Sequence, residues 1–299
     1  MSAELEFEIW DVFTRRRYAG NPLAVVFGAD ALDPAAMLAI TREFDFSESV
    51  FVQRPSNSEF DFRLRIFTPA GELPFAGHPT VGSACALAHR ANAESLVLEL
   101  GAGRFATSFK PHAGGVMQAR FRNPNLPRIS AGGPSPDRIE AALSLPPGSV
   151  DRAELAPARA GAGIDFVYAR IESVDRLAGA SLTHSAWDAL QLESSCGLLA
   201  WAPSGAAPDG RFRARMFAPH IGVPEDPATG SAAAALPAHL LAGGLLEDGE
   251  HHLIVEQGIE IGRPSRIEVI VEVADGAVRG VDVAGDASPV MRGVLRPPG

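Results

Sequence analysis

The chain carries one internal repeat, and nothing else in it restricts the possible folds as strongly. Residues 63–69 read RLRIFTP and residues 213–219 read RARMFAP, an offset of 150 that also brings Pro74 onto Pro224. After a short slip, at an offset of 148, His78-Pro79 falls on Asp226-Pro227 and Gly82-Ser83-Ala84 falls on Gly230-Ser231-Ala232. Self-similarity at this spacing implies two similar units, and 299 residues suit two domains of roughly 150 each. The expected boundary divides 1–125 from 126–299, with the Pro- and Gly-rich stretch 123–133 as linker and the terminal segment near 285–299 able to return to the first domain.

Each copy runs from an alternating segment (63–67 and 213–217), through a Pro-containing turn, into an Ala-rich stretch (84–88 and 232–236). Alternation marks a strand, and the Ala-rich stretches mark helices. These helices have small apolar residues on nearly every side, so each should be enclosed by protein. Pro237 removes an intrahelical hydrogen bond and predicts a kink or early end in the second helix. Further strands are expected at 5–13, 23–27, 49–53, 95–100, 116–121, 166–171, 252–256, 266–272 and 278–283. Helices are expected at 33–44, with Asp33 as N-cap and Pro34 at the first helical position, and at 135–145 and 185–191. The pattern is α+β: two pseudo-symmetric barrel-like domains, each a mostly antiparallel sheet around a central apolar helix.

Composition removes several classes of function. A formal net charge of -10 argues against nucleic-acid or anionic-membrane surfaces, which need clustered Lys and Arg. The one basic run, Arg15-Arg16-Arg17, reads as a solvated turn. Residues 232–246 are short for a membrane span and contain Pro237 and His239. No secretory leader pattern precedes Leu5, and Cys85 and Cys196 are too few for a disulfide framework or a zinc site, so a reducing cytoplasm is expected.

A Gly-Ser at a helix start offers unpaired N–H groups at the positive end of the helix dipole, where a carboxylate binds well. The repeat places His78 and Asp226 immediately before the two helices, one from each half, where they would face one cleft. Glu48 lies in FDFSESVFV beside apolar Val50 and Phe51, a setting that disfavours the ionised carboxyl and suits it to acid/base work. Each residue also has an ordinary structural reading: His78 as a turn hydrogen bonder, Asp226 as a cap, Glu48 as an exposed strand-edge carboxylate, Ser231 as an N-cap and Asn21 as a turn former. Their joint arrangement favours general acid/base chemistry on a small carboxylate-bearing substrate, with no metal or organic cofactor. Two other readings stand beside it. One is a ligand-binding or interaction protein without activity. The other is a serine hydrolase built from Ser231, His78 and Asp226, which lacks a G-x-S-x-G elbow.

DVFTRRRYAGNPLAVV at 11–26, SES at 47–49, FTPAGELPFAGHPTVGSA at 67–84, EDPATGSAAAAL at 225–236 and QGIEIGRPS at 257–265 resemble the phenazine-biosynthesis PhzF-like isomerases. The resemblance implies a diaminopimelate-epimerase-like fold, a homodimer and a cofactor-independent isomerase. In it, Glu48 would shuttle a proton along a ring, assisted by His78 and Asp226. Gly230 and Ser231 would hold the substrate carboxylate, and Asn21 and Gly77 would line the pocket. Ser49 stands where the family usually has Thr, and Pro237 interrupts a helix that the family usually continues. The related epimerases use two cysteines as bases, yet Cys85 and Cys196 lie outside the repeated motif positions, which disfavours a two-thiol mechanism.

Overall fold

The computed structural model describes residues 4–192, 197–205 and 210–298. They divide into two compact units, Met1–Arg122 with Ala284–Gly299, and Asn123–Val283.

The first unit contains strands β1 (Leu5–Val12), β2 (Asn21–Val26), β3 (Ser49–Gln53), β4 (Phe62–Thr68), β5 (Gly71–Leu73), β6 (Ser95–Leu100), β7 (Gly103–Pro111) and β8 (Met117–Arg122). Two helices, α1 (Pro34–Phe44) and α2 (Gly77–Ala91), make its parallel crossovers. Helix α1 lies between parallel β2 and β3, and α2 lies between parallel β4 and β6; the remaining pairs are antiparallel. As expected, Asp33 caps α1 by accepting from Ala36 N at 2.8 Å, and Pro34 begins it. Met37 and Ile40 of α1 pack on Val26, Phe51 and Phe67, on one face of the sheet. Helix α2 packs on β1, β2, β3, β6, β7 and β8, and is buried from Gly77 to Ala88. Gly82 is what admits it, since a Cβ there would sit 2.6 Å from side-chain carbons of Leu23 and Val12.

The second unit repeats this order of joins with β9 (Arg128–Gly132), α3 (Pro136–Ala142), β10 (Ala158–Gly161), β11 (Asp165–Arg170), α4 (Val174–Ala178), α5 (His184–Trp187), β12 (Leu198–Pro203), β13 (Arg211–Ala218), β14 (Val223–Asp226), α6 (Gly230–Ala242), β15 (Gly249–Gln257) and β16 (Ser265–Ala274). Again β11–β12 and β13–β15 are parallel and the other pairs antiparallel. Ile139, Leu143, Trp187 and Leu190 form a layer on Val167, Leu198 and Ala200. Helix α6 packs on β9, β10, β11 and β16. The last strand, β17 (Ala277–Leu295), begins in the second unit and ends in the first, where it pairs antiparallel with β1 from Leu295 against Leu5 to Ala287 against Val12. It also pairs with β8. The α+β class holds, with a central apolar helix wrapped by sheet in each unit.

Several local expectations change. The linker stretch contains β9, paired with β10, because Arg128 to Gly132 find a ladder that a loop would lack. Pro237 does not end α6, which continues to Ala242. Burial on all sides outweighs the missing N–H, and nearby the Tyr168 hydroxyl donates to the Ala232 carbonyl at 2.7 Å. The terminal strand extends well past 283. The Arg15-Arg16-Arg17 run is exposed, as expected of a solvated turn, but Arg15 also donates to Asp286 at 2.7 Å and Arg17 to the Pro289 carbonyl at 2.8 Å, tying that loop to β17. Among the described residues, no helix is long and apolar enough to cross a membrane.

The repeated Arg-x-Arg of β4 and β13 serves one purpose twice. Arg63 and Arg65 pair with Glu99 and Glu72; Arg213 and Arg215 pair with Glu260 and Glu225. Their surroundings differ. Arg215 is 7% exposed and also donates to the carbonyls of Leu177, Ala178 and Ala180, whereas Glu72 is 41% exposed. Removing one partner of a buried pair strands the other, while an exposed pair contributes little. Arg215→Ala should therefore cost about 3–5 kcal/mol and Arg65→Ala about 1 kcal/mol or less, measured by urea unfolding; equal losses would contradict this account.

Candidate functional site

In the first unit, α1 ends at Phe44, and Asp45, at φ 55°, turns the chain toward β3. Glu48 immediately precedes β3, whose Phe51 packs with Met37 and Ile40 of α1. His78 is the second residue of α2, where Pro79 is tolerated because the first turn needs no N–H from it. Glu48 Oε2 and His78 Nδ1 lie 3.4 Å apart, with side chains 18% and 4% exposed. Burial raises the Glu48 carboxyl from the ordinary 4.5 to about 7, against the opposing hydrogen bond from Ser47. Ser47 Oγ also lies 3.5 Å from Oδ1 of buried Asn21, which opens β2 instead of forming a turn. Gly77 is the first residue of α2 and is buried.

In the second unit, Asp226 ends β14 and is 7% exposed. Thr229 Oγ1 is 2.5 Å from Asp226 Oδ2. Gln257, fully buried at the end of β15, clamps this turn: its side chain contacts the Asp226 carbonyl at 2.7 Å, Thr229 N at 3.2 Å and Thr229 Oγ1 at 3.0 Å. Gly258 follows at φ +73°, and a Cβ there would lie 2.6 Å from the Pro227 carbonyl oxygen. Thr229 is the N-cap of α6, and Gly230 and Ser231 are its first two residues; Gly230 is buried and Ser231 is partly open. Their backbone N–H groups have no carbonyl one turn back within the helix and sit at its positive end.

The structure thus brings Glu48, His78, Asn21 and Gly77 together in one unit, and Asp226, Gly230 and Ser231 together in the other. The residue-by-residue equivalence of the two turns does not hold. Gly82-Ser83 lies inside α2, with Ser83 Oγ donating to Pro79 O at 2.7 Å, so only Gly230-Ser231 begins a helix. His78 is within its helix, whereas Asp226 terminates a strand ahead of one. Counted from helix starts, Gly77-His78 corresponds to Gly230-Ser231. The physical reason is a longer connection from β13 to α6 than from β4 to α2, most of it in the turn before β14.

Thr229 and Gln257 were not singled out by sequence reasoning; the one available signal was the Gln-Gly pair that opens the 257–265 motif. Cys85 is buried mid-helix, donates to the Met117 carbonyl at 3.4 Å, and has its thiol pushed well above the ordinary range by burial. It is no candidate base. Cys196 lies outside the described residues. Among the described residues, no group of three or more His, Cys, Asp or Glu is placed to hold a metal ion.

The model of the family described as phenazine biosynthesis-like protein matches residues 10–293. An uncharacterised isomerase of Mesorhizobium japonicum is 39% identical over 96% of this chain and 97% of its own length. The trans-2,3-dihydro-3-hydroxyanthranilate isomerase of Pseudomonas fluorescens is 36% identical, covering 97% of this chain and 98% of its own. Among solved structures, the Bacillus anthracis phenazine biosynthesis protein of the PhzF family superposes with a TM-score of 0.86 at 25% identity, over 99% of this chain and all of that one. A hydroxyproline epimerase of Agrobacterium vitis shares the fold alone, with a TM-score of 0.64 at 12% identity over 98% of this chain and 91% of that one.

A carboxyl whose folded-state pKa is raised binds its proton more tightly folded than unfolded. Between pH 4.5 and about 7 the folded chain holds a proton at Glu48 that the unfolded chain has lost, so stability falls as pH rises through that window. Glu48→Gln has no such proton to lose. Relative to the native chain, it should gain up to about 3 kcal/mol of unfolding free energy on going from pH 4 to pH 8. A pH-independent difference between the two proteins would show that Glu48 titrates normally.

Proposed function

The chain belongs to the phenazine biosynthesis-like family, it is an isomerase with that family, and we propose that it moves a proton between two atoms of a small carboxylate-bearing substrate, with Glu48 as the carrier. The observation that carries this reading is a carboxyl enclosed beside His78, where burial raises its pKa to about 7. Such a group takes a proton in its ionised form and returns it in its neutral form, both accessible near pH 7.

In this reading Glu48 removes a proton from a carbon of the substrate, leaving charge delocalised toward the neighbouring unsaturated system, and delivers it to another carbon of the same molecule. His78, in contact with Glu48, assists by exchanging a proton with the substrate or holding the carboxyl in place. Asp226 is the second acid/base group. The N–H groups of Gly230 and Ser231 hold the substrate carboxylate, and Asn21 and Gly77 contribute to its pocket. The reaction class of the Pseudomonas fluorescens relative supplies the first substrate to try, trans-2,3-dihydro-3-hydroxyanthranilate. A homodimer and a cytoplasmic location belong to the same reading; sedimentation velocity and cell fractionation test them.

The serine hydrolase reading finds less support. A carboxyl beside His78 Nδ1 is that of Glu48, the place such a triad would give to Asp226, and no G-x-S-x-G elbow surrounds Ser231.

Incubation with trans-2,3-dihydro-3-hydroxyanthranilate in deuterium oxide should place deuterium on carbon. The rate should rise with pH through a limb near 7 as Glu48 ionises, fall by about 100-fold or more in Glu48→Gln, and survive in Ser231→Ala. Exchange that persists undiminished in Glu48→Gln would remove Glu48 as carrier.

A further inference from the structure

The turn that holds Asp226 contains a hydrogen-bond chain whose direction follows from atom types alone. Thr229 N–H can only donate, so the Gln257 atom 3.2 Å from it is the carbonyl Oε1. That fixes the amide, and its Nε2 then lies 2.7 Å from the Asp226 carbonyl oxygen and 3.0 Å from Thr229 Oγ1. A backbone carbonyl only accepts, so one Nε2 hydrogen goes to it and the other to Thr229 Oγ1. The threonine hydroxyl has one hydrogen of its own, and Asp226 Oδ2 stands 2.5 Å away to receive it. All three side chains are buried: Gln257 at 0%, Asp226 at 7% and Thr229 at 8% exposure.

We propose that Gln257 and Thr229 are positioning residues for the proton transfer at Asp226: they hold Oδ2 as a hydrogen-bond acceptor and fix the plane of the carboxyl group. This rests on the reading of Asp226 as an acid/base group. The chain has a sense as well as a geometry. Gln257 donates into the hydroxyl, which keeps its own hydrogen to give to the ionised Asp226 at Oδ2. A hydrogen bond given to a carboxylate favours its ionised form. Losing the hydroxyl, or reversing its sense, therefore makes Asp226 hold a proton more readily.

Three variants of the whole chain separate positioning from mere support of the turn. Thr229→Ser keeps the hydroxyl, Thr229→Val replaces it by a methyl group of similar shape, and Gln257→Glu keeps size while turning the donor facing Thr229 into an acceptor. The first readout needs no substrate: the pH titration of the Asp226 carboxyl carbon by 13C NMR. Its midpoint should move to higher pH in Thr229→Val and Gln257→Glu and stay in place in Thr229→Ser. The second is steady-state isomerisation of trans-2,3-dihydro-3-hydroxyanthranilate. There kcat should fall roughly tenfold or more in Thr229→Val and Gln257→Glu, with KM held within about threefold, and Thr229→Ser should match the native chain. An unmoved Asp226 titration in Thr229→Val overturns the proposal; if that variant does not fold, an unmoved titration in the isosteric Gln257→Glu does so. A native chain inactive on this substrate, with titrations in the expected order, counts against the proposed reaction and supports the positioning assignment.

Discussion

Enclosing a helix in its own sheet is the constraint on which the rest of this molecule depends. Along α2 and α6, apolar strands leave no route for water, so the side chains must be small and the polar backbone must satisfy itself from within. That condition fails at the first turn, where N–H groups have no carbonyl behind them. Polar side chains accumulate there for that reason: His78 in the first turn of α2, and Thr229 and Ser231 at the start of α6. Chemistry is possible at these ends because the rest of each helix excludes it.

The two carboxyl groups of interest meet opposite treatment. Glu48 is enclosed beside His78 and Ser47, and burial carries its pKa to about 7. Asp226 receives a hydroxyl hydrogen at Oδ2, in a turn that Gln257 ties down by three contacts. The buried pair of Arg215 and Glu225 lies one residue before Asp226, so the strand that presents the aspartate is anchored by charge-assisted bonds as well as by its ladder.

Family membership and the site geometry draw on separate observations. Whole-length similarity to isomerases concerns the reaction class, while the contact between Glu48 and His78 concerns which groups could perform it in this chain. Gly82-Ser83 matches Gly230-Ser231 in sequence but lies inside α2, which is informative as well. Gly82 is needed for close approach of α2 to β1 and β2, a packing role that resembles its repeat partner only in sequence.

Much of the architecture was legible because it follows from local rules. The repeat, the alternation of 63–67 and 213–217, the Asp33-Pro34 start and the all-round apolar helices each state their structure in neighbouring residues. Glu48, His78 and Asp226 were legible as candidates because their residue types and apolar flanks stand out. What the sequence by itself determined is therefore two similar α+β units, each with a helix that must be buried, and the names of the acid/base candidates. Only the tertiary structure decided that Glu48 touches His78 across 30 residues of chain, since burial of a carboxyl depends on what packs over it. It also decided that β9 replaces a linker, that α6 runs through Pro237, and that Gln257 governs a turn 28 residues away, because ladders, enclosure and side-chain hydrogen bonds are made between segments whose separation no local pattern encodes.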